Sequence, residues 1–299
     1  MIRVEHLTKR YGATTAIEDV SFEVPKGQVV GFLGPNGAGK STTMRILTGS
    51  LGATEGRATV DGRDVFTDAR EVKRRIGYLP EVPPLYPNMV VRDYVAFAGQ
   101  LKGVKDPVAA AERAIARVGL SQVGHRIIEH LSKGYRQRVG LAQALVHDPE
   151  VLILDEPNSG LDPAQRVEIR DLLHDLVEDK RTIILSTHVL ADIEAICRRV
   201  IIINKGRIVA EDDIERLGGE QRTVTVAVAR PGDAAVAALR SVAGVSAVVD
   251  EGEGRLRLTT DGDRREHVAN AAAPFGLLEL SGRARLEEIY LRLTMGANP

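Results

Sequence analysis

The sequence predicts an α/β fold. A mainly parallel sheet is flanked by an antiparallel β subdomain, carries a helical insertion at about 83–150, and is followed by a small α+β domain. Three observations lead there. An apolar run, Val29-Val-Gly-Phe-Leu33, passes through a glycine-rich loop into the helical run Thr42–Leu47. Apolar strand-sized runs at Val151–Leu154, Thr182–Leu185 and Val200–Ile203 then alternate with helix-like segments, the signature of parallel strands with ligands at their C-terminal ends. Beyond Gly218-Gly219, the expected boundary between domains 1–217 and 218–299, the order becomes β-α-β-β-α-β, which is ferredoxin-like.

The 299 residues suffice for two domains, each with its own core. A net charge of −1 argues against a general nucleic-acid or membrane-surface binder. Cys197 is the only cysteine, so an intrachain disulfide and a cysteine-built metal site are excluded. It is expected to be a small buried side chain. The start, Met1-Ile-Arg-Val-Glu-His-Leu7, lacks the apolar core of a signal peptide. No run approaches the ~20 apolar residues that span a bilayer. Work at a membrane would therefore need another chain.

In chain order, residues 2–7 and 20–24 alternate as strands expected to pair antiparallel, with Arg57–Val60 and Val65 extending that sheet. Arg75–Glu81 is a short strand stopped by Pro80, and residues 83–87 carry three prolines and form a loop. Val91 to Val146 is mostly helical, with Pro107 opening one helix. After the strand Val151–Leu154, Asp162-Pro163 starts a helix over about 164–178, with Val167, Leu172, Leu173, Leu176 and Val177 expected inside. A helix at 189–197 precedes a hairpin turning at Asn204-Lys-Gly206. Strands at 223–228, 245–249, 255–259 and 277–280, helices at 234–239 and 262–274, and a last helix at 286–293 complete the chain.

The chemistry centres on Gly34-Pro-Asn-Gly-Ala-Gly-Lys-Ser41, a G-x-x-x-x-G-K-S loop between strand and helix. Glycines let successive backbone N–H groups turn inward around phosphates, and the following helix points its positive end at them. Nucleotide contacts are expected from Gly34, Pro35, Asn36, Gly37, Ala38, Gly39, Lys40, Ser41 and Thr42, with Lys40 on the β- and γ-phosphates and Ser41 on Mg²⁺. This makes the core a P-loop NTPase. Tyr11 either stacks on the adenine or packs at a turn. Asp155 closes its strand as a Mg²⁺-holding acid. Glu156 is expected to point the other way, where it polarises the attacking water, provided that strand geometry continues. Ser132 and Gly134 open a helix and form an anion site with its first amides.

In this order the motifs resemble the nucleotide-binding subunit of an ATP-binding cassette (ABC) transporter, over residues 1 to about 217. Tyr11 matches the adenine-stacking loop, Gly34–Ser41 the Walker A motif and Val151–Glu156 the Walker B motif. Leu131-Ser-Lys-Gly-Tyr135 resembles the signature L-S-G-G-Q, Ser159–Asp162 the D-loop and His188 the switch histidine. The resemblance implies a head-to-tail dimer, with a second copy or a paralogous ATPase, holding ATP between the Walker A of one subunit and Ser132, Lys133 and Gly134 of the other. His188 would contact the γ-phosphate. Asp162 would bridge the subunits, although helix capping explains it as well. It also implies ATP and Mg²⁺ as cofactors, a transmembrane permease as partner, no nucleic acid, and a place at the cytoplasmic face of the membrane. Two departures stand out. Lys133 and Tyr135 replace Gly and Gln, and Glu81 occupies the place of the Q-loop glutamine, where it is a further Mg²⁺ ligand candidate but cannot donate as an amide does. Glu81 and Leu131–Arg138 are similar to a bacterial export branch, so export powered by ATP hydrolysis is the implied activity. The alternative is a soluble ABC-type ATPase acting on nucleic acid or ribosomes, against which a single cassette without long heptad runs argues.

Overall fold

In the computed structural model, which describes residues 1–178, 181–217, 221–281 and 286–295, the chain divides into two compact units, Met1–Glu211 and Asp212–Pro299. The Gly218-Gly219 pair lies outside the described residues.

The first unit opens with β1 (Ile2–Tyr11) and β2 (Thr14–Val24), followed by β3 (Val29–Leu33), α1 (Lys40–Leu47), β4 (Glu55–Val60) and the short β5 (Arg63–Asp64). Strands β2, β1, β4 and β5 form an antiparallel sheet in that order. Its inner face presents Ile2, Val4, Val20, Phe22, Ala58 and Val60 to one core shared with Met44 and Leu47 of α1 and Val30 and Phe32 of β3. The Phe22 and Phe32 rings meet at 5.6 Å. Both long strands extend past the alternating stretches read from sequence, because register shifts at Leu7 and Lys9 interrupt the two-residue pattern.

Then come α2 (Ala69–Arg75), β6 (Ile76–Leu79), α3 (Val91–Leu101), α4 (Pro107–Arg117), α5 (Lys133–Leu145), β7 (Val151–Asp155), α6 (Pro163–Glu178), β8 (Thr182–Thr187), α7 (Leu190–Ile196), β9 (Arg199–Asn204) and β10 (Arg207–Asp213). The six-stranded sheet runs β10-β9-β3-β8-β7-β6, and β9, β3, β8, β7 and β6 are mutually parallel. Every residue of β3, β7 and β8 is buried, as expected of strands covered on both faces. The β9–β10 turn places Lys205 and Gly206 at φ 47° and 79°, which suits a two-residue hairpin. Asp106 caps α4 by accepting from Ala109 N at 3.0 Å, with Pro107 at the first helical position.

One expectation for α6 fails. Val167 is 51% exposed, and Ile169 joins Leu172, Leu173 and Leu176 inside. Residues 169, 172, 173 and 176 share one helical face, whereas 167 lies about 200° around from 169. Cys197 is buried, and burial pushes its thiol well above the ordinary range.

The second unit contains α8 (Ile214–Leu217), β11 (Gln221–Val228), α9 (Asp233–Arg240), β12 (Val245–Gly252), β13 (Arg255–Asp261), α10 (Arg265–Ala272), β14 (Leu277–Ser281) and α11 (Leu286–Met295). Its antiparallel sheet runs β12-β13-β11-β14. Val224, Val226, Leu256 and Leu258 alternate onto one face and pack with Leu239 of α9 and Val268 and Ala272 of α10.

Candidate functional site

Three loops leave the C-terminal ends of neighbouring parallel strands: Gly34–Gly39 after β3, Glu156–Asp162 after β7 and His188–Val189 after β8. The first must be glycine-rich for steric reasons. Gly39 has φ 108°, and a Cβ there would lie 2.5 Å from Ile17 Cγ2 and 2.9 Å from the Ala16 carbonyl. The loop is thereby pressed against β2, the strand whose turn leads back to Tyr11. The Tyr11 ring is 47% exposed, with the Lys9 ammonium 5.3 Å from its centre. Ala38 is buried and its N–H donates to Pro35 O at 3.1 Å. Asn36 and Gly37 form the exposed tip, and Ser41 and Thr42 follow in the first turn of α1.

Lys40 is 6% exposed and folds back on the loop, donating to Gly34 O at 2.8 Å and Pro35 O at 3.2 Å. Burial lowers its pKa, and the negative charges of Glu156, Asp155 and Glu81 pull the other way. Asp155 is 2% exposed, and burial raises its pKa against the nearby hydroxyls of Ser41 and Ser186. Among the described residues its Oδ1 and the Ser186 Oγ are buried without a hydrogen-bond partner. Two unsatisfied acceptors beside Ser41 suit a hydrated divalent cation. Among the described residues no three His, Cys, Asp or Glu side chains could hold a metal alone. Asp155 and Ser41 are the side chains that would hold such a cation.

Glu156 does not continue the strand. Its φ is 51°, although its N–H still reaches Ser186 O at 2.8 Å. The left-handed turn, rather than strand alternation, sets its direction. It is 7% exposed, and its Oε2 accepts from Thr187 Oγ1 at 3.3 Å and lies 2.8 Å from His188 Nδ1. A carboxylate only accepts, so Nδ1 carries the shared proton and Nε2 stays free on a ring whose side chain is 57% exposed. Gln137 of α5 donates to the Glu156 carbonyl at 3.4 Å. Thr187, Ser186 and Gln137 were not legible as site residues. Their only signal is a polar side chain in an apolar setting, which becomes visible once burial is known.

Ser132 caps α5, its Oγ accepting from Tyr135 N at 3.3 Å, and Gly134 is buried in the first turn. The Lys133 side chain lies across Gly160 of the loop after β7. Asp162 caps α6, accepting from Gln165 N at 2.9 Å. Among the described residues no hydrogen bond or ion pair joins Ser132, Lys133 or Gly134 to Lys40, Asp155 or His188. The chain thus brings Lys40, Asp155, Glu81, Glu156 and His188 into one electrostatic cluster and leaves the start of α5 outside it.

A separate groove of about 640 Å³ lies between the end of α1, α2, β6, α3 and α5. Arg70, Lys73, Arg74, Lys102 and His147 line it, together with Pro80 and Pro84. Val82, Tyr86 and Leu101 are 80%, 53% and 72% exposed. Tyr86 rests against Tyr94 and Phe97 with ring centres at 5.9 and 6.0 Å. Burial pushes Lys102 down to about 8 and, with the Lys102 charge, His147 down to about 4. The His147 Nε2–H donates to Ile76 O at 3.1 Å. Below its ordinary pKa of 6.5 the unfolded chain binds a proton that the folded chain refuses. This stability is therefore full above pH 6.5 and lost as pH falls towards 4. Between pH 7 and 5, urea unfolding of the first unit is expected to lose up to about 2 kcal/mol more in the native protein than in His147→Gln. Equal losses in both proteins would assign the pH dependence to other groups.

A family model described as "ABC transporter" matches residues 17–159. The bacitracin transport ATP-binding protein BcrA of Bacillus licheniformis is 37% identical over 223 residues, covering 74% of this chain and 72% of that protein. The linearmycin resistance ATP-binding protein LnrL of Bacillus subtilis (strain 168) is 33% identical over 307 residues, 98% of each chain. A dimeric bacterial ABC transporter cassette superposes with a TM-score of 0.67 at 26% identity, covering 71% of this chain and 98% of that one. Identity of this order over more than two thirds of both proteins means that the chain belongs to the ABC transporter ATP-binding proteins, the ATPases that hydrolyse ATP to drive transport.

Proposed function

We propose that this chain powers export through a separate membrane-spanning permease, working at the cytoplasmic face of the membrane. The observation that carries this reading is the match to a linearmycin resistance ATP-binding protein over 98% of both chains. No helix among the described residues is long and apolar enough to cross a membrane, so the path for cargo falls to a partner.

The site residues take the following roles. Gly34 to Thr42 cradle the phosphates, with Lys40 leaving its loop carbonyls for the β- and γ-oxygens. Tyr11 offers its exposed ring to adenine. Ser41 and Asp155, with Glu81 beside them, hold Mg²⁺, which when bound neutralises charge on the phosphates. Glu156 takes the proton of the attacking water, and His188 faces the γ-phosphate while its Nδ1–H keeps the carboxylate aimed. Ser132, Lys133 and Gly134 make no link to Lys40 of their own chain, and a related cassette is dimeric. Both facts support a head-to-tail pair, formed with a second copy or a paralogue, in which the start of α5 meets the other subunit's ATP and Asp162 lies at the seam.

We take residues 218–299 as a ferredoxin-like regulatory or dimer-contacting domain following the ATPase domain 1–217. The strand order β12-β13-β11-β14 supports this, because each βαβ half encloses a strand of the other. The groove beside Pro80 and Pro84 is read as the permease's docking site. Replacing both Val82 and Tyr86 by Asp is expected to leave ATP turnover of the isolated protein within about twofold, since exposed surface changes away from the chemistry cost little. The same variant should lose most permease-stimulated turnover.

The test of the whole reading is to tag the protein in its native cell, solubilise membranes in mild detergent and identify what co-purifies. A multi-span membrane protein in about equal amount supports the export reading. Recovery only with ribosomes or nucleic acid overturns it.

A further inference from the structure

Behind the Glu156–His188 pair lies a second tie between the same two loops. Asp192, in the first turn of α7, is 1% exposed. One carboxylate oxygen accepts from Asn158 Nδ2 at 2.8 Å, and the other accepts from the Arg170 guanidinium of α6 at 3.2 Å. Asn158 is itself 5% exposed and stands two residues after Glu156. We propose that Asp192 is a positioning residue for hydrolysis, fixing through Asn158 the separation of the two loops that present Glu156 and His188. The proposal rests on the reading of Glu156 as the base.

The geometry forms a closed ring. Asp192 N donates to Val189 O at 3.1 Å, and Val189 N donates to Thr187 Oγ1 at 3.1 Å. Thr187 Oγ1 in turn donates to Glu156 Oε2 at 3.3 Å. From Glu156 the chain runs to Asn158, braced by Ser159 N donating to Glu156 O at 3.0 Å, and Asn158 returns to Asp192. Opening the ring at Asp192 frees Asn158 and with it the turn that holds Glu156 at φ 51°. The far side of α7 has no slack to absorb a shift. A Cβ on Gly31 of β3 would lie 2.6 Å from Ile193 Cδ1, so the helix is seated directly on the strand. An apolar residue at 192 would be the simpler filler beside Ile193 and Ile196. Instead the protein buries a charge, and among the described residues Asn158 Oδ1 and Arg170 Nε have no hydrogen-bond partner. Such a network costs stability, and a positional role gives a reason for keeping it.

A merely structural Asp192 would lower the melting temperature of its variants and leave the turnover of the folded molecules alone. The experiment compares full-chain Asp192→Ala, Asn158→Ala and the exchange variant Asn158→Asp with Asp192→Asn, reading kcat and KM for MgATP per folded molecule. Each single variant is expected to lower kcat about tenfold or more while KM changes by less than about threefold, the pattern of a group whose contribution is realised in the transition state. The exchange variant restores an amide-to-carboxylate bond across the same gap and is expected to recover most of the lost kcat. Full kcat in the single variants overturns the proposal, as does an exchange variant no faster than they are. Asn158→Ala keeps the Asp192–Arg170 pair, so it carries the test if Asp192→Ala does not fold. Glu156→Gln is measured beside them. If it retains turnover, the assignment of the base fails and this proposal with it. If it is inactive while both Ala variants turn over normally, only the role of Asp192 is overturned.

Discussion

Glu156→Gln is expected to abolish ATP turnover and to leave a dimer that persists with ATP bound. The substitution keeps shape. An amide oxygen can still accept from Thr187 Oγ1 and from His188 Nδ1–H, the two donors that hold the side chain at 3.3 and 2.8 Å. The left-handed backbone at φ 51° is retained too, since Gln and Glu differ little in that region. What disappears is the capacity to take a proton from water. Loss of a positioned general base costs about 10²–10⁴-fold in rate. Binding should be nearly unaffected, because Glu156 reaches Lys40 only through its field. Removing that negative charge also relieves repulsion of the γ-phosphate, which favours the ATP-bound state. Phosphate release would be followed together with light scattering at saturating MgATP. Turnover within about threefold of the native rate would remove Glu156 from the role of base, and a variant that stays monomeric would overturn the sandwich arrangement.

Much of the fold is written in local pattern. Continuous apolar runs such as Val151-Leu-Ile-Leu154, of strand length, fit strands covered on both faces, and the G-x-x-x-x-G-K-S loop joins strand to helix where such chemistry requires it. What could not be read depends on contacts far apart in sequence or on a single dihedral. A two-residue period points Glu156 the opposite way to Asp155, but the strand stops one residue earlier and the chain turns left-handed. Val167 is apolar like the inner residues of α6, although the helical period assigns that face to Ile169. The tie between Asn158 and Asp192 spans 34 residues and leaves no local trace, since an Asn in a loop and an Asp at a helix start each have ordinary explanations.

Lys40→Met is expected to weaken nucleotide binding by about 10–150-fold, from the 1.5–3 kcal/mol carried by a hydrogen bond to a charged group. Methionine fills much of the space of the buried lysine stem, so the loop's packing against Ile17 and Ala16 should survive. The loss is electrostatic. In the native protein the ammonium gives up the Gly34 and Pro35 carbonyls to reach the phosphates, which takes something from its contribution. What it supplies is the balance of charge. Glu156, Asp155 and Glu81 all act on Lys40 strongly enough to oppose the effect of its burial, so its ammonium is the near counter-charge to three carboxylates. A triphosphate brings further negative charge to the same place, and with the ammonium gone every added charge is repelled at low local dielectric. Lys40→Arg should not rescue binding. A planar guanidinium is wider than the ammonium it would replace, and Lys40 is buried. Titration with a fluorescent ATP analogue measures the affinity, and thermal unfolding verifies that the variants remain folded. Binding of Lys40→Met within about threefold of native would mean that backbone amides and the helix end hold the phosphates by themselves, and that the lysine serves only to close its own loop.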